Sequence, residues 1–224
     1  MGLNAPFQRM RARIANQGLK ATLAKVWKDH IFRITHSVMV EFRSEWQGAV
    51  GEGALPPGVT CVRIAKGQQL PELCEWLAHR QPAFEQMLDD GKQALFIARD
   101  GIAYGCVWIS LTSHRDRKAH EFYRVLPGEA YHYCWLLDPD HRNSRLGMLL
   151  CRQTIHHLRD LGIRRQFGIV DLTNAASYLV QYYFGYRECG QKVTHLYVLG
   201  TQWTVTSAYS GTLGPQRKSR NAVA

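Results

Sequence analysis

The stretch DPDHRNSRLGM, residues 138–148, joins two different patterns in the sequence. Before it, the apolar run YHYCWLL, residues 131–137, predicts a buried β-strand, and after it the spacing of apolar residues over 144–161 predicts an α-helix. A strand that leads into a helix N-terminus presents free backbone N–H groups and the positive end of the helix dipole, which suits a bound phosphate. Arg142 and Arg145 add positive charge at the same place. The stretch therefore predicts a diphosphate-binding turn, with an ordinary solvated basic loop as the alternative.

The elements on either side predict an α/β domain with a mixed sheet. Residues 59–65 have a strand pattern, 70–90 have a helical pattern that Pro82 interrupts, and Asp100-Gly101 between two apolar runs predicts a β-hairpin. The patterns that follow the basic stretch predict a strand over 166–172, a helix from Asn174 to about Phe184, and strands over 186–190 and 194–199.

The formal net charge of +10 is concentrated at the two ends of the chain. Residues 1–33 carry seven basic side chains and one acidic one, and three more basic residues follow Gly214, so the middle is nearly neutral. A nucleic-acid-binding fold would need a basic face of its own, and no nucleic-acid partner is expected. We predict a basic helix over 8–28 and a strand over 31–43 as an extension covering residues 1–50, and a mobile basic tail over 204–224. The helix is interpreted as packing on the domain, with peripheral contact with an anionic membrane surface as the alternative.

The composition is that of a globular protein, with 46% hydrophobic residues and no apolar run of the length that a membrane span requires. The six cysteines form no C-x-x-C pair and show no metal-ligand spacing with the histidines, so we expect reduced thiols and no metal site. A cytoplasmic protein is expected, at the inner face of a membrane if residues 8–28 bind one.

The strand–R-x-x-R-x-G–helix unit that begins at Arg142 resembles the acetyl-CoA motif of the GNAT (GCN5-related N-acetyltransferase) superfamily. The stretch TNAASYLVQYYFGY, residues 173–186, resembles a later motif of that family, and the Asp100-Gly101 hairpin matches its second and third strands. The resemblance covers about residues 59–200 and implies a GNAT-like domain over 59–203, with a mostly antiparallel central sheet flanked by helices. It also implies direct transfer of an acetyl group from acetyl-CoA, or another acyl group from its CoA thioester, to an amine in a ternary complex.

The resemblance implies that acetyl-CoA binds along the strand, the turn and the two helices. The residues expected to contact it are Trp135, Leu137, Arg142, Asn143, Ser144, Arg145, Leu146, Gly147, Met148, Asn174 and Gln181. Arg145 and Asn143 stand where the family often has glycine, which lets the backbone approach the pyrophosphate. Either the positive charge of the Arg145 side chain compensates for a less close backbone approach, or the site binds the pyrophosphate more weakly.

The catalytic acid implied by the resemblance is a tyrosine seven residues after Asn174, a position that Gln181 fills here. Its neighbour Tyr182 is our first candidate to protonate the leaving thiolate, and Tyr178, one turn earlier, is the second. Both are alternatively packing aromatic residues.

The catalytic base is less well marked. Tyr131 and Tyr133 stand where the family often has Glu or His, and a water held by a tyrosine would serve. Glu121, His120 and His114, in the polar segment before the strand, are further candidates, and the family's bulged strand would offer a backbone N–H near Trp135 to the oxyanion.

Two hypotheses follow from the resemblance. The first is an active N-acyltransferase that acts on a small-molecule amine, such as an amino sugar if the protein lies at a membrane. The second is a catalytically weak GNAT-like domain that binds acyl-CoA or another partner. The sequence does not define the oligomeric state, and a dimer is suggested only by the family resemblance.

Overall fold

The structure is a computed structural model that describes residues 31–46, 54–117, 120–142 and 144–214. The helix predicted over 8–28, Asn143 and the chain after Gly214 lie outside the described residues.

The described chain alternates strands and helices in the predicted order, except that the polar segment before the strand at 131–137 forms two short strands that were not predicted. Its strands are β1 (Phe32–Arg43), β2 (Val59–Ile64), β3 (Gln93–Arg99), β4 (Ile102–Ser110), β5 (His114–Asp116), β6 (Glu121–Tyr123), β7 (Glu129–Leu137), β8 (Arg165–Asp171), β9 (Arg187–Val198) and β10 (Thr201–Ala208). Its helices are α1 (Glu75–Ala78), α2 (Gln81–Asp89), α3 (Leu146–Asp160) and α4 (Ala175–Tyr183). The helical pattern predicted over 70–90 is two helices, and Pro82 lies in the first turn of the second, where its missing N–H costs nothing.

Eight of the described strands form one sheet in the order β10-β9-β1-β8-β7-β4-β3-β2, and β5 and β6 form a separate hairpin. The pairs within the large sheet are antiparallel except for β7 and β8, which run parallel. The predicted mixed, mostly antiparallel sheet flanked by helices is confirmed.

The N-terminal strand β1 lies inside the sheet, between β8 and β9, although the sequence analysis places it in an extension. Val38 pairs with Val170 on one side and with Lys192 on the other. Its side chain is fully buried, so β1 is part of the core. The apolar alternation of a strand predicts burial but does not identify its neighbours.

The C-terminal part of the sheet is longer than predicted. Residues predicted as two strands, 186–190 and 194–199, form the single strand β9, within which Gly190 takes a φ of +73°. After a turn at Gly200, β10 pairs with β9 as far as Ala208, five residues beyond the predicted end of the domain. Its polar composition reflects exposure of most of its residues to solvent at the edge of the sheet.

The helices cover the two faces of the sheet. α3 packs against Leu95, Ile97, Val107 and Ile109 on one face, and α1 and α2 pack against the opposite face around Trp108. In the described part of the chain, no helix has the length and apolar character needed to cross a membrane.

Candidate functional site

The parallel strands β7 and β8 separate part-way along their length. They pair where Glu129–His132 faces Arg165–Gly168, and the register ends at the pair His132 and Gly168. Beyond that pair the strands diverge, which opens a gap in the middle of the sheet.

β7 bulges just beyond the point of separation. Tyr133 pairs with Trp108 and Leu136 pairs with Cys106, so β7 has one more residue than β4 between these pairs. Cys134, inside the bulge, takes a φ of +51°. An extra residue reverses the side-chain alternation of a strand. Trp135 consequently packs on the α3 and α4 side of the sheet, whereas Tyr133 packs on the opposite side.

A cavity of about 480 Å³ lies on the α3 and α4 side, beside the bulge. One wall is the end of β7, from Trp135 to Leu137, and the opposite wall is the first two turns of α4. The N-terminal turn of α3, with Gly147 and Met148, forms one end, together with Arg142 and Ser144 from the turn that precedes it. Trp76 of α1 also lines the cavity.

The turn between β7 and α3 is held by its own side chains. Asp138 accepts a hydrogen bond from the backbone N–H of Asp140 at 2.8 Å, and the Ser144 hydroxyl donates to the carbonyl of His141 at 2.6 Å. Arg145 is the N-cap residue of α3, but its side chain makes no capping hydrogen bond within the described part of the chain. The first turn of α3 therefore keeps backbone N–H groups and a dipole end that suit an anion.

A row of polar side chains follows the face of α4 that lines the cavity. The Asn174 side chain accepts from the backbone N–H of Ser177 at 3.1 Å and caps the helix, as predicted. The Gln181 amide donates to the Ser177 hydroxyl at 3.3 Å. Gln181 is 3% exposed, and its Oε1 has no hydrogen-bond partner within the described structure. A buried unsatisfied acceptor is costly, so this oxygen suits a hydrogen-bond donor on a ligand.

On the opposite face, an aromatic cluster surrounds a carboxylate. Tyr131 stacks on Tyr133 with 5.5 Å between ring centroids, and His114 lies 5.1 and 4.6 Å from the same two rings. The Tyr123 hydroxyl donates to Glu121 Oε1 at 3.0 Å. Burial raises the pKa of Glu121, against the opposing effect of the Tyr123 hydrogen bond. This carboxyl group therefore takes up a proton more readily than an exposed glutamate.

The cysteines show no sign of nucleophilic or metal-binding chemistry. All six are free thiols, and burial raises the pKa of both Cys61 and Cys134 to about 11. Within the described ranges, no three His, Cys, Asp or Glu side chains are grouped to hold a metal ion.

Comparison with protein families identifies the architecture. Residues 62–186, more than half of the chain, match the model of the acetyltransferase (GNAT) family. The chain belongs to the GNAT acetyltransferase family. The resemblance seen in the sequence is therefore confirmed, and acetyl transfer is the general activity of this family. No curated protein sequence matches the chain significantly.

Several solved GNAT structures are similar to this chain at low sequence identity. A tandem GNAT protein from the clavulanic acid biosynthesis pathway is 16% identical, with a TM-score of 0.51, over 89% of this chain and 60% of its own. A GCN5-related N-acetyltransferase from Kribbella flavida is 15% identical, with a TM-score of 0.46, over 80% of this chain and 63% of its own. One from Sphaerobacter thermophilus is 12% identical, with a TM-score of 0.47, over 79% and 56%. This GNAT chain thus spans less than two thirds of each of these proteins.

Most residues predicted to bind acetyl-CoA line the cavity of this GNAT protein: Trp135, Leu137, Arg142, Ser144, Gly147, Met148, Asn174 and Gln181. Arg145 and Leu146 are not among the lining residues. The Leu146 side chain is 1% exposed in the core under α3, so its backbone alone can face a ligand, and Arg145 is exposed at the helix N-cap.

Neither candidate acid of the GNAT motif lines the cavity. The Tyr178 hydroxyl donates to Glu188 Oε1 at 2.7 Å on the far side of α4, and burial, together with Glu188, raises its pKa. Tyr182 is 48% exposed, stacks on Tyr178 and lies under the Arg187 guanidinium at 4.2 Å. The helical repeat explains why neither tyrosine lines the cavity. Residues 174, 177 and 181 share the cavity face, whereas 178 and 182 each follow 177 and 181 by one position, about 100° further round the helix.

The candidate bases are grouped, with one exception. Glu121, Tyr131, Tyr133 and His114 belong to the aromatic cluster on the face opposite the cavity. His120 instead donates to the backbone carbonyl of Gln202 and stacks on Trp203 at the edge of the sheet.

Several lining residues were not predicted from the sequence, chiefly Trp76 and Ser177. Trp76 was one of the apolar positions of a predicted helix, and no local pattern separates a cavity-lining tryptophan from a packed one. Ser177 carried a usable signal, because it lies three residues after the capping Asn174 on the same helical face.

Proposed function

We propose that this GNAT protein transfers an acetyl group from acetyl-CoA to the amine of a small molecule, directly and within a ternary complex. The observation that carries the proposal is the bulge of β7, which puts the cavity wall at Trp135 and the carboxylate-bearing aromatic cluster at Tyr133 on opposite faces of the same gap. A thioester that enters from one face and an amine that enters from the other would meet there.

The cavity fits a CoA thioester in both chemistry and shape. The N-terminal turn of α3 and the Arg142 guanidinium offer donors and positive charge to the diphosphate. The apolar wall from Trp135 to Leu137 suits the pantetheine arm, and Gly147 lets the first turn of α3 approach that wall closely, since a Cβ there would lie 3.3 Å from the Leu137 side chain.

Glu121 serves as the base in this proposal. A protonated amine is not a nucleophile, so one proton must leave before attack on the thioester carbon. The Glu121 carboxylate, whose pKa burial raises, accepts that proton directly or through a water held by the Tyr123 hydroxyl. The neighbouring rings of Tyr131 and Tyr133 favour a cationic substrate before deprotonation.

The remaining steps use the bulge and α4. A backbone N–H at the bulge, near Trp135, donates to the oxyanion as the C–N bond forms. The Gln181 amide donates a hydrogen bond to the sulfur as the C–S bond breaks. The second proton of the attacking nitrogen then passes to the thiolate, so that the amide and free CoA are formed and one proton remains on Glu121.

A second candidate function is binding of acyl-CoA with little turnover. Gln181 stands at the family's acid position and cannot donate a proton as a tyrosine can, and the hydroxyl of Tyr178 is engaged by Glu188. This arrangement would leave the cavity intact while slowing the departure of the thiolate.

Titration calorimetry with acetyl-CoA tests the binding step. We expect submillimolar affinity that falls at least tenfold in the double variant Arg142→Ala/Arg145→Ala, since both side chains lie at the diphosphate end. The matched control is Arg99→Ala/Arg124→Ala, which removes two exposed arginines elsewhere. A folded protein that binds no acetyl-CoA would overturn both candidate functions.

A second assay separates the two candidate functions. It measures the release of free CoA, trapped by a thiol reagent, in the presence of a panel of amines. Amine-dependent release supports the acetyltransferase, and binding without release from any amine supports the binding protein.

A further inference from the structure

Two aromatic rings, those of His132 and Trp135, lie beside the point where β7 and β8 stop pairing. His132 is the last residue of β7 that pairs with β8, opposite Gly168, and its side chain lies across that glycine. A Cβ on Gly168 would lie 2.6 Å from His132 Nδ1 and 2.8 Å from the His132 backbone oxygen, so the imidazole fills the space where the strands begin to separate. His132 is 1% exposed and is not among the residues that line the cavity, so it supports the cavity wall from behind.

His132 fixes the orientation of Trp135. The indole Nε1–H donates to His132 Nδ1 at 2.8 Å, and the two rings meet edge to face at 5.5 Å. Tyr186 holds the imidazole from another side, also edge to face, at 5.3 Å. Burial lowers the pKa of His132 to about 3, so the ring is neutral and Nδ1 remains an acceptor for the indole at ordinary pH.

Trp135 is the member of this pair that lines the cavity. The cavity therefore runs from the cationic turn at Arg142, along the wall Leu137–Leu136, to the indole of Trp135. A CoA thioester bound with its phosphates at α3 would direct its acyl carbons at this indole.

We infer that Trp135, held in place by His132, limits the length of the acyl chain that the site accepts and restricts it to short acyl groups. The inference rests on the proposed function, because it assumes that the cavity binds CoA thioesters. His132 acts through the indole and is a positioning residue.

The experiment measures the affinities of free CoA, acetyl-CoA, butyryl-CoA and hexanoyl-CoA by titration calorimetry. For the unaltered protein, we expect acetyl-CoA to bind at least tenfold more tightly than hexanoyl-CoA. In Trp135→Ala we expect the order to reverse, since each methylene that becomes buried strengthens binding by up to about fourfold. Free CoA is the reference ligand: its pantetheine arm contacts the same wall, so any loss of its affinity in Trp135→Ala measures that contact, and the acyl effects are taken relative to it.

Two further variants separate positioning from general damage. His132→Phe retains a ring but removes the acceptor for the indole, and it should weaken the preference for acetyl-CoA over hexanoyl-CoA by a larger factor than any change in the affinity for free CoA. Trp76→Leu is the matched control, because it removes a tryptophan from another wall of the same cavity and should change the affinities for all four ligands by the same factor.

The outcomes distinguish the two proposals. No binding of any CoA ligand by the folded protein would contradict the proposed function itself. Equal affinity for acetyl-CoA and hexanoyl-CoA, or a preference for acetyl-CoA that survives in Trp135→Ala, would overturn the inference and leave the proposed function standing.

Discussion

The hydroxyl of Tyr178 donates a hydrogen bond of 2.7 Å to Oε1 of Glu188, which ties helix α4 to strand β9. The same carboxylate accepts a hydrogen bond from the Tyr209 hydroxyl and two from the backbone N–H groups of Leu213 and Gly214, at 2.9 and 2.8 Å. Glu188 thus holds the segment that follows β10 against the back of α4. Tyr178, which the sequence marked as a catalytic candidate, therefore has a structural contact through the same hydroxyl that a catalytic role would use.

We expect Glu188→Gln to lower the free energy of unfolding by about 1–3 kcal/mol, because a charged acceptor of several hydrogen bonds becomes a neutral amide. Burial alone would raise the pKa of Glu188, but its four hydrogen bonds outweigh burial and hold that pKa below its usual value. A depressed pKa in the folded state contributes stability above the unfolded value, about 4.3, and that contribution is lost as the pH falls through the folded value.

Urea unfolding of the native protein and of Glu188→Gln between pH 7 and pH 3 measures the stability that Glu188 contributes. The gap in unfolding free energy between the native protein and Glu188→Gln should be largest near neutral pH and should shrink on acidification. A gap that stays constant down to pH 3 would mean that the carboxylate charge is not what holds the segment.

The position of Tyr182 yields a prediction about the leaving group. A general acid contributes roughly 10²–10⁴-fold to rate, so a tyrosine in that role would show a loss of this size when replaced by phenylalanine. Tyr182 is 48% exposed and lies outside the cavity, so we expect Tyr182→Phe to keep kcat within about threefold.

Gln181→Leu is the informative comparison, since it removes the one amide on α4 that lines the cavity and changes little in volume. It should lower kcat by more than Tyr182→Phe does, as measured by CoA release at saturating acetyl-CoA. A large loss in Tyr182→Phe with little effect in Gln181→Leu would restore the tyrosine as the acid.

Local chemistry explains which parts of the fold could be predicted. The Asp100-Gly101 turn takes positive φ at both residues, 51° and 88°, as a two-residue hairpin requires. Asp-Gly is a residue pair that favours this conformation, so the turn can be predicted from the sequence. Asn174 likewise caps α4 through its own side chain. Such features depend on a few neighbouring residues, so they can be read from the sequence.

The unpredicted features depend on contacts between distant segments. The family resemblance implies a bulge near Trp135, but nothing local to YHYCWLL marks the extra residue at Cys134 or the reversal of faces between Tyr133 and Trp135 that it causes. In the same way, β1 joins the interior of the sheet through pairs with β8 and β9, more than a hundred residues away. Site residues on either side of such a bulge can be named from the sequence, but their faces cannot be assigned.

The pH dependence of the reaction tests Glu121 as the base. The ionised carboxylate alone can accept the proton of the amine, so kcat/KM should rise with pH through the pKa of Glu121. Burial places that pKa above the ordinary value of about 4.3 for glutamate. Glu121→Gln should lower kcat/KM by about 10²–10⁴-fold and remove this rising limb from the profile.

Glu85→Gln is the control for this profile, because it removes an exposed carboxylate on α2, away from the aromatic cluster. The affinity for acetyl-CoA, on the opposite face, should be unchanged in both variants. A profile that Glu121→Gln leaves intact would transfer the role of base to another group of the cluster, His114 or a tyrosine-held water.

The contact between Gly168 and His132 makes a prediction about stability that is independent of the reaction. A Cβ at Gly168 would meet the imidazole and, at 2.8 Å, the backbone oxygen of His132, so Gly168→Ala should destabilise the protein by about 1–3 kcal/mol, as overpacking of a core does. The double variant Gly168→Ala/His132→Ala removes the ring but keeps the backbone oxygen. We therefore expect the cost of Gly168→Ala to be smaller in the His132→Ala background, with a remainder from the backbone contact, in a double-mutant cycle of urea unfolding. Equal costs in the two backgrounds would show that the imidazole does not fill the space above Gly168, and the fixed position of His132 beside Trp135 would lose its support.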